Sequence, residues 1–183
     1  MTPLRVVALL RGVNVTGHNR VPMAALQALC ARLGGRDVAT YVQSGNVVFT
    51  GPSDDLAGLE AALEAGLRDD LGVSVAVMVR KAAQWEAYVQ GCPWRTEAEA
   101  APTTVLLGVG KGPIAPGAAE VLTGRGGAGE RVVSAGDALW VHYVAGVGRS
   151  KLQPVVVERA AGVAVTARNW RTVCALGAML GGV

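Results

Sequence analysis

The chain has 183 residues and a net charge of +3, and hydrophobic residues make up 51% of it against 17% charged residues. A chain of this size and composition can bury a sizeable core, which excludes an intrinsically disordered protein. No run of about 20 apolar residues is free of charge or glycine, so we predict no membrane span. Arg5 and Arg11 interrupt any secretory signal pattern. The dispersed cysteines Cys30, Cys92 and Cys174 predict reduced thiols in a cytoplasmic protein.

Hydrophobic periodicity in the first half predicts the order strand, helix, strand, strand, helix, strand, followed by one more helix. Gly12 ends the first strand, which we expect to be central in its sheet, and the segment QSGN is typical of a hairpin turn. In chain order the expected elements are a strand over 5–11, a helix over 22–33, strands over 37–42 and 47–50, a helix capped by Ser53 and ended by Gly72, a strand over 73–79 and a helix over 81–90.

The second half repeats this order after a loop that contains Pro93 and Pro102. The expected elements are a strand over 103–109, a short helix through Ala119 and Leu122, a hairpin of strands 131–134 and 138–143, a helix from Ser150 to Arg159, a strand over 163–167 and a helix over 169–180. Ser150 and Gln153 fit a capping box, and Asn169 fits a helix N-cap.

Internal similarity supports a duplication. YVQSGNVVFT parallels VVSAGDALWV, which pairs Phe49 with Trp140, and VVALLRGV parallels TTVLLGVG, which sets Arg11 against Gly108. We therefore predict an α+β fold of two tandem ferredoxin-like units, each β-α-β-β-α-β with an antiparallel sheet and an extra helix after it. The first unit is expected over 1–92 and the second over 101–183, packed as two domains or as one.

Four polar clusters stand at the ends of predicted elements and combine Arg or Lys with small amide or hydroxyl residues. They are Arg11-Gly12-Val13-Asn14, Gln43-Ser44-Gly45-Asn46, Gly148-Arg149-Ser150-Lys151 and Arg168-Asn169-Trp170-Arg171. Such residues suit anion recognition, because Arg offers a planar fork of donors and helix N-termini present unpaired N–H groups. The clusters predict one asymmetric site for a small phosphate-containing ligand, lying between the halves.

Simpler explanations stand beside this hypothesis. Capping alone accounts for Ser150 and Asn169, and the second cluster fits a plain turn. Arg11 is different, because a charge at the end of a central strand needs a ligand or a partner carboxylate. His18 and His142 have no partner at metal-ligand spacing, so no metal site is predicted. The sequence identifies no cofactor, reaction or oligomeric state.

Two other functions compete with the anion hypothesis. Some ferredoxin-like modules bind RNA by stacking bases on sheet aromatics. Phe49 and Trp140 are on equivalent strands, but their surroundings are more typical of core residues. A structural or assembly role would use the clusters only to cap helices and to hold the two repeats together.

The segments ALLRGVNVTGHNRVPMAAL, TYVQSGNVVF, GVGRSKL and TARNWRTV resemble, in this order, the bacterial DUF1697 family, a domain of unknown function. The resemblance implies a small cytoplasmic α+β protein with a duplicated architecture, and it implies no reaction. Thr16, where glycine is more usual, and Arg171, where a small polar residue is more usual, depart from the pattern. The positions that match the family signature are Arg11, Asn14, Gln43, Ser44, Asn46, Ser150, Lys151, Arg168, Asn169 and Trp170.

Overall fold

The computed structural model describes residues 4–15 and 17–181. These residues form two four-stranded antiparallel sheets and seven α-helices, an α+β architecture of two similar units, which confirms the predicted fold class. Unit 1 comprises 1–87 and 175–183, and unit 2 comprises 88–174. The predicted limits of 1–92 and 101–183 stay a prediction. Among the described helices, none is long and apolar enough to cross a bilayer.

Unit 1 has the sheet order β2-β3-β1-β4, so β1 is central as predicted. Its helices α1 and α2 pack on one face of the sheet around Phe49, Leu63 and Leu67. The elements are β1 (Arg5–Leu10), α1 (Met23–Arg32), β2 (Arg36–Tyr41), β3 (Asn46–Thr50), α2 (Leu56–Leu71) and β4 (Val77–Lys81), followed by α3 (Ala82–Gln90).

Unit 2 has the matching order β6-β7-β5-β8, with a core around Leu122, Leu139 and Val165. The helix α4 was not predicted from the sequence. It has only six residues and lies between two prolines, so the segment has the pattern of a loop. The elements are α4 (Arg95–Ala100), β5 (Val105–Gly110), α5 (Ala118–Arg125), β6 (Arg131–Ala135), β7 (Ala138–His142), a 3-10 turn (Val147–Arg149), α6 (Pro154–Ala161), β8 (Val165–Asn169) and α7 (Trp170–Met179).

Two helix N-termini differ from the prediction. Asp55, and not Ser53, caps α2, because its Oδ1 accepts a hydrogen bond from the amide of Gly58 at 2.9 Å. The helix α6 begins at Pro154 instead of Ser150, and no side chain caps it. Proline suits this first helical position, since its missing N–H would have no partner there.

The two hairpins match each other with an offset of one residue from the predicted alignment. Leu9 pairs with Asn46 in unit 1, and the equivalent Val109 pairs with Ala138 in unit 2. Trp140 is therefore equivalent to Val48, and the predicted equivalence of Trp140 with Phe49 is wrong. The side-chain period of a strand is two residues, so Phe49 and Trp140 point to opposite faces of their sheets.

The predicted pairing of Arg11 with Gly108 is also wrong. The amide of Arg11 donates to the carbonyl of Ala76 at 2.9 Å, and the amide of Lys111 donates to the carbonyl of Ala164 at 2.8 Å. Arg11 and Lys111 are therefore equivalent, and each unit carries a cation directly after its first strand.

Candidate functional site

The loop between β1 and α1 is closed on itself by asparagine side chains. Asn14 Nδ2 donates to the carbonyl of Val21 at 2.9 Å, and Asn14 Oδ1 accepts from the amide of Val21 at 2.9 Å. Asn19 Nδ2 donates to the carbonyl of Gly12 at 3.1 Å. Asn14 and Asn19 have φ of 55° and 49°, a left-handed conformation that asparagine adopts more readily than most residues. Residue Thr16 lies outside the described residues.

Asn14 also joins this loop to the β2–β3 hairpin loop. Its Nδ2 donates to the carbonyl of Gln43 at 2.7 Å, and the amide of Leu10 donates to the carbonyl of Gly45 at 2.8 Å. A Cβ on Gly45 would lie 2.5 Å from Val13 Cγ2, so only glycine permits this approach. The first two predicted clusters therefore lie together at one end of the unit 1 sheet.

Asn46 has a local role in the same hairpin. It is buried, and its Nδ2 donates to the carbonyl of Tyr41 at 3.0 Å, across the ends of β2 and β3. This hydrogen bond holds the base of the hairpin loop together.

We call residues 11–15, 17–20 and 42–45 the loop surface. His18, Arg20, Gln43 and Ser44 are exposed in it, and Arg11 is half-buried. Segments 11–20 and 42–46 contain no aspartate or glutamate. The side chains of His18, Arg20 and Gln43 make no hydrogen bond or ion pair with the described residues. The loop surface therefore carries two arginines, exposed amide and hydroxyl groups, and no carboxylate of its own.

Val42 is strained within this loop surface. It has φ of 51° and is 51% exposed. A β-branched side chain at positive φ is a true outlier, which costs about 1–2 kcal/mol, and such outliers concentrate at functional sites. The exposure of Val42 shows that core packing does not compensate for the strain.

In unit 2, Ser150 is part of a buried network centred on Glu130. Its Oγ donates to Glu130 Oε1 and accepts from the amide of Leu152 at 3.0 Å. Glu130 Oε2 accepts from the amides of Gly127 at 3.0 Å and Ala128 at 2.9 Å. These hydrogen bonds, with that from Ser150 the largest, hold the pKa of the Glu130 carboxyl below its ordinary value. The glycine-rich loop therefore already surrounds an internal anion.

The predicted capping box at Ser150 and Gln153 is wrong, because Gln153 Nε2 donates to the carbonyl of Ser150 at 2.9 Å instead of capping a helix. Lys151 is exposed, and its stem lies 3.3 Å from the position of a Cβ on Gly127. Sequence reasoning missed Glu130, because a single glutamate after a glycine-rich loop has no distinctive pattern.

The fourth cluster is also used internally. Arg168 is buried, and its Nη1 donates to Thr166 Oγ1 at 2.8 Å and to the carbonyl of Ala167 at 2.9 Å. Burial lowers the pKa of Arg168 to about 10. Asn169 Oδ1 accepts from the amide of Thr172 at 3.0 Å, which confirms the predicted cap of α7.

Trp170 lies in an aromatic group that the sequence did not indicate. Its ring centroid is 5.9 Å from that of Trp140, and the Arg95 guanidinium lies 5.1 Å from the Trp170 ring. Phe49 and Trp140 are both buried, as expected of core residues. Neither side chain lies on an open sheet face where a base could stack.

His142 lies in a second group on unit 2. Its Nδ1 accepts from Arg131 Nη2 at 2.6 Å, and Arg131 also donates to Glu97 at 2.5 Å and covers the Trp94 ring at 5.0 Å. Burial, and then the charge of Arg131, lowers the pKa of His142. Within 4–15 and 17–181, no group of three or more His, Cys, Asp or Glu side chains could hold a metal ion.

Comparisons with known proteins add a fold relative and a family. None of the curated proteins compared with the chain matches it significantly. The conserved bacterial protein SP0830 from Streptococcus pneumoniae is similar in structure, with a TM-score of 0.73 and 21% identity over 97% of this chain and 98% of that chain. At this identity the likeness shows the fold alone. The family described as "Protein of unknown function (DUF1697)" matches residues 4–140, the greater part of the sequence, and the chain belongs to that family.

Proposed function

We propose that this protein binds a small phosphate-containing anion at the loop surface of unit 1. The observation that carries the proposal is the hydrogen bond from Asn14 to the carbonyl of Gln43, which brings two polar loops together. This link is not needed to close the first loop, since Asn14 already closes that loop through Val21.

The charge of the loop surface supports an anionic ligand. Arg11 and Arg20 lie in one loop, and neither loop contains a carboxylate. Arginine binds phosphate through two parallel N–H donors, and exposed amide and hydroxyl groups such as those of Gln43 and Ser44 add neutral hydrogen bonds.

The strain at Val42 supports a binding role for the hairpin loop. The left-handed backbone at Val42, and again at Gly45, turns the loop within four residues. A fixed loop conformation before binding reduces the entropy lost on binding. In unit 2 the side chains of Ser150, Arg168 and Asn169 are used in internal hydrogen bonds, so the proposed site consists of unit 1 residues. The three free cysteines support our proposal of a cytoplasmic location.

The test is a thermal-shift and calorimetric titration with inorganic phosphate, pyrophosphate and adenosine monophosphate, with ionic strength held constant by sodium chloride. An anion at about 100 times its dissociation constant should add about 2.7 kcal/mol of stability. Arg20→Gln should weaken binding at least about tenfold, since it removes a charge-assisted contact.

Arg36→Gln is the matched control. Arg36 is exposed on unit 1, but it lies at the opposite end of β2 from the hairpin loop. It should leave binding unchanged. Equal stabilisation by the phosphate compounds and by sodium chloride would show only nonspecific screening of surface charge, and it would contradict the proposal. Equal loss of binding in Arg20→Gln and Arg36→Gln would contradict it as well.

A further inference from the structure

Each sheet has two edge strands, and side chains block one of them in unit 1. In β4, the amide of Val77 donates to Glu64 Oε1 at 2.8 Å, and the amide of Val79 donates to Glu60 Oε1 at 2.7 Å. The carbonyl of Val79 accepts from Arg80 Nη1 at 2.8 Å. Three outward backbone groups of this edge are therefore already used.

The equivalent edge of unit 2 is blocked by the same chemistry. In β8, the amide of Val165 donates to Glu158 Oε1 at 3.0 Å, and the carbonyl of Ala167 accepts from Arg168 Nη1 at 2.9 Å. A helix carboxylate and an arginine of the strand itself therefore prevent strand addition at both edges.

The edge strand β2 is blocked in another way. Its register with β3 shifts between Arg36 and Ala39, and Asp37 has φ of 52°. A bulge of this kind breaks the row of evenly spaced backbone groups that a new strand would need.

Among the described residues, no side chain bonds to the outward backbone groups of the fourth edge, β6, and β6 has no bulge. It pairs with β7 without a register shift, from Arg131 opposite His142 to Ala135 opposite Ala138. Its side chains are mostly exposed, and Val133 at its centre is 41% exposed. This strand is regular, and it is open to solvent.

The hairpin geometry fixes which backbone groups of β6 point outward. In a hairpin with a two-residue loop, the flanking residues exchange both hydrogen bonds, so Ala135, Val133 and Arg131 are bonded to β7. The N–H and C=O of Val132 and Ser134 then point away from the sheet. No other described residue makes a hydrogen bond to them.

We propose that β6 is a self-association surface, on which β6 of a second copy of this chain adds as an antiparallel strand about a twofold axis through Val133. In this register Val132 lies opposite Ser134 of the second copy, and these residues exchange all their outward hydrogen bonds. Val133 lies opposite Val133 of the second copy in the closely spaced type of pair.

The charges of β6 permit this register. Arg131 lies opposite Ala135 of the second copy, so no like charges meet, and Arg131 is directed toward Glu97 at 2.5 Å. Pairing of one five-residue strand gives an interface at the small end of specific complexes, so we expect a dissociation constant on the order of 10–100 μM.

Sedimentation equilibrium of the full chain from low to high concentration tests the proposal. The wild type should show a monomer–dimer equilibrium. Val133→Lys should raise the dissociation constant at least about tenfold, because it places like charges opposite each other. Val155→Lys is the matched control, since Val155 is 60% exposed on α6, and it should still form the dimer.

A charge-complementation experiment separates loss of pairing from loss of folding. Val133→Lys and Val133→Glu should each be monomeric alone, and their equimolar mixture should form a dimer. Monomeric wild-type protein up to about 1 mM would overturn the proposal. Equal effects of Val133→Lys and Val155→Lys, or no dimer in the mixture, would overturn it as well.

Cross-linking tests the register directly. With diamide as oxidant, Val133→Cys should give a covalent dimer, because Cβ atoms across this closely spaced type of pair are about 4.5 Å apart, a distance that a disulfide can span. Ser134→Cys should not, since its partner position is Val132. Equal cross-linking of both variants would contradict the proposed axis.

Discussion

The side chain of Asn14 donates a hydrogen bond to the backbone carbonyl of Gln43 at 2.7 Å, and the same side chain forms two further bonds with Val21. Asn14→Ala should lower the free energy of unfolding by about 2–3 kcal/mol, since three hydrogen bonds are lost and alanine disfavours positive φ. Urea denaturation measures this loss. Asn14→Gly should cost less than Asn14→Ala, because glycine accepts the backbone conformation. Equal costs would contradict a contribution from the left-handed backbone.

Val42→Gly should raise the free energy of unfolding by about 1 kcal/mol, because it removes the side chain that makes φ of 51° unfavourable. Chemical denaturation at neutral pH measures the change. Val15→Gly is the control, since Val15 is exposed but is not among the residues with positive φ, and it should give no gain. A loss of stability in Val42→Gly would show that its side chain makes a compensating contact.

Glu130 should make the stability of the protein depend on acid pH. Its pKa is lowered from 4.5 by the hydrogen bonds from Ser150 and the Ala128 amide, so its contribution is complete above pH 4.5. As the pH falls, this carboxyl takes up a proton in the unfolded chain at a higher pH than in the native protein. The stabilisation is therefore lost as the pH falls through the lower native pKa. Glu130→Gln should therefore be less stable than wild type at neutral pH, and the difference should shrink as the pH falls below 4.5. Urea midpoints across this range give the comparison, and a constant difference would contradict it.

His142 should add a second pH dependence at higher pH. Its pKa is lowered from 6.5 by burial and by Arg131, so the native state favours the neutral ring. Stability is then complete above pH 6.5 and falls below it, by at most about 1.4 kcal/mol per pH unit. NMR titration of the imidazole protons should give His142 a pKa below 6.5, and His18→Gln identifies which of the two signals belongs to it. A native pKa above 6.5 would reverse the sign and contradict the neutral ring.

The order of the elements could be predicted, because each strand and helix has its own hydrophobic period. The hairpin register could not. Val42 is β-branched and reads as a strand residue, yet it has φ of 51° and lies in the turn. Strand propensity therefore extended β2 by one residue. The repeat alignment shifted for another reason, because it matched Gly45 with Gly136, which take different positions in a four-residue and a two-residue loop.

The candidate site could be predicted only as separate pieces. Asn14 and Gln43 were both singled out, but their contact depends on the pairing of β1 with β3, which no local pattern encodes. Glu130 was missed for the same reason, since its partner Ser150 is 20 residues further along the chain. A local sequence pattern can single out a polar residue, but its hydrogen-bond partner depends on which distant segments of the chain lie together in the fold.

The two hairpins differ in loop length by an even number of residues, with loop 42–45 in unit 1 and loop 136–137 in unit 2. Side chains alternate between faces with a period of two, so this difference leaves inward and outward positions unchanged in the strands that follow. The hairpin tip is therefore a modular position, at which a duplicated ancestor could lengthen one copy for recognition without rebuilding its core. The two-residue hairpin loop of unit 2 is the shorter version of the same turn.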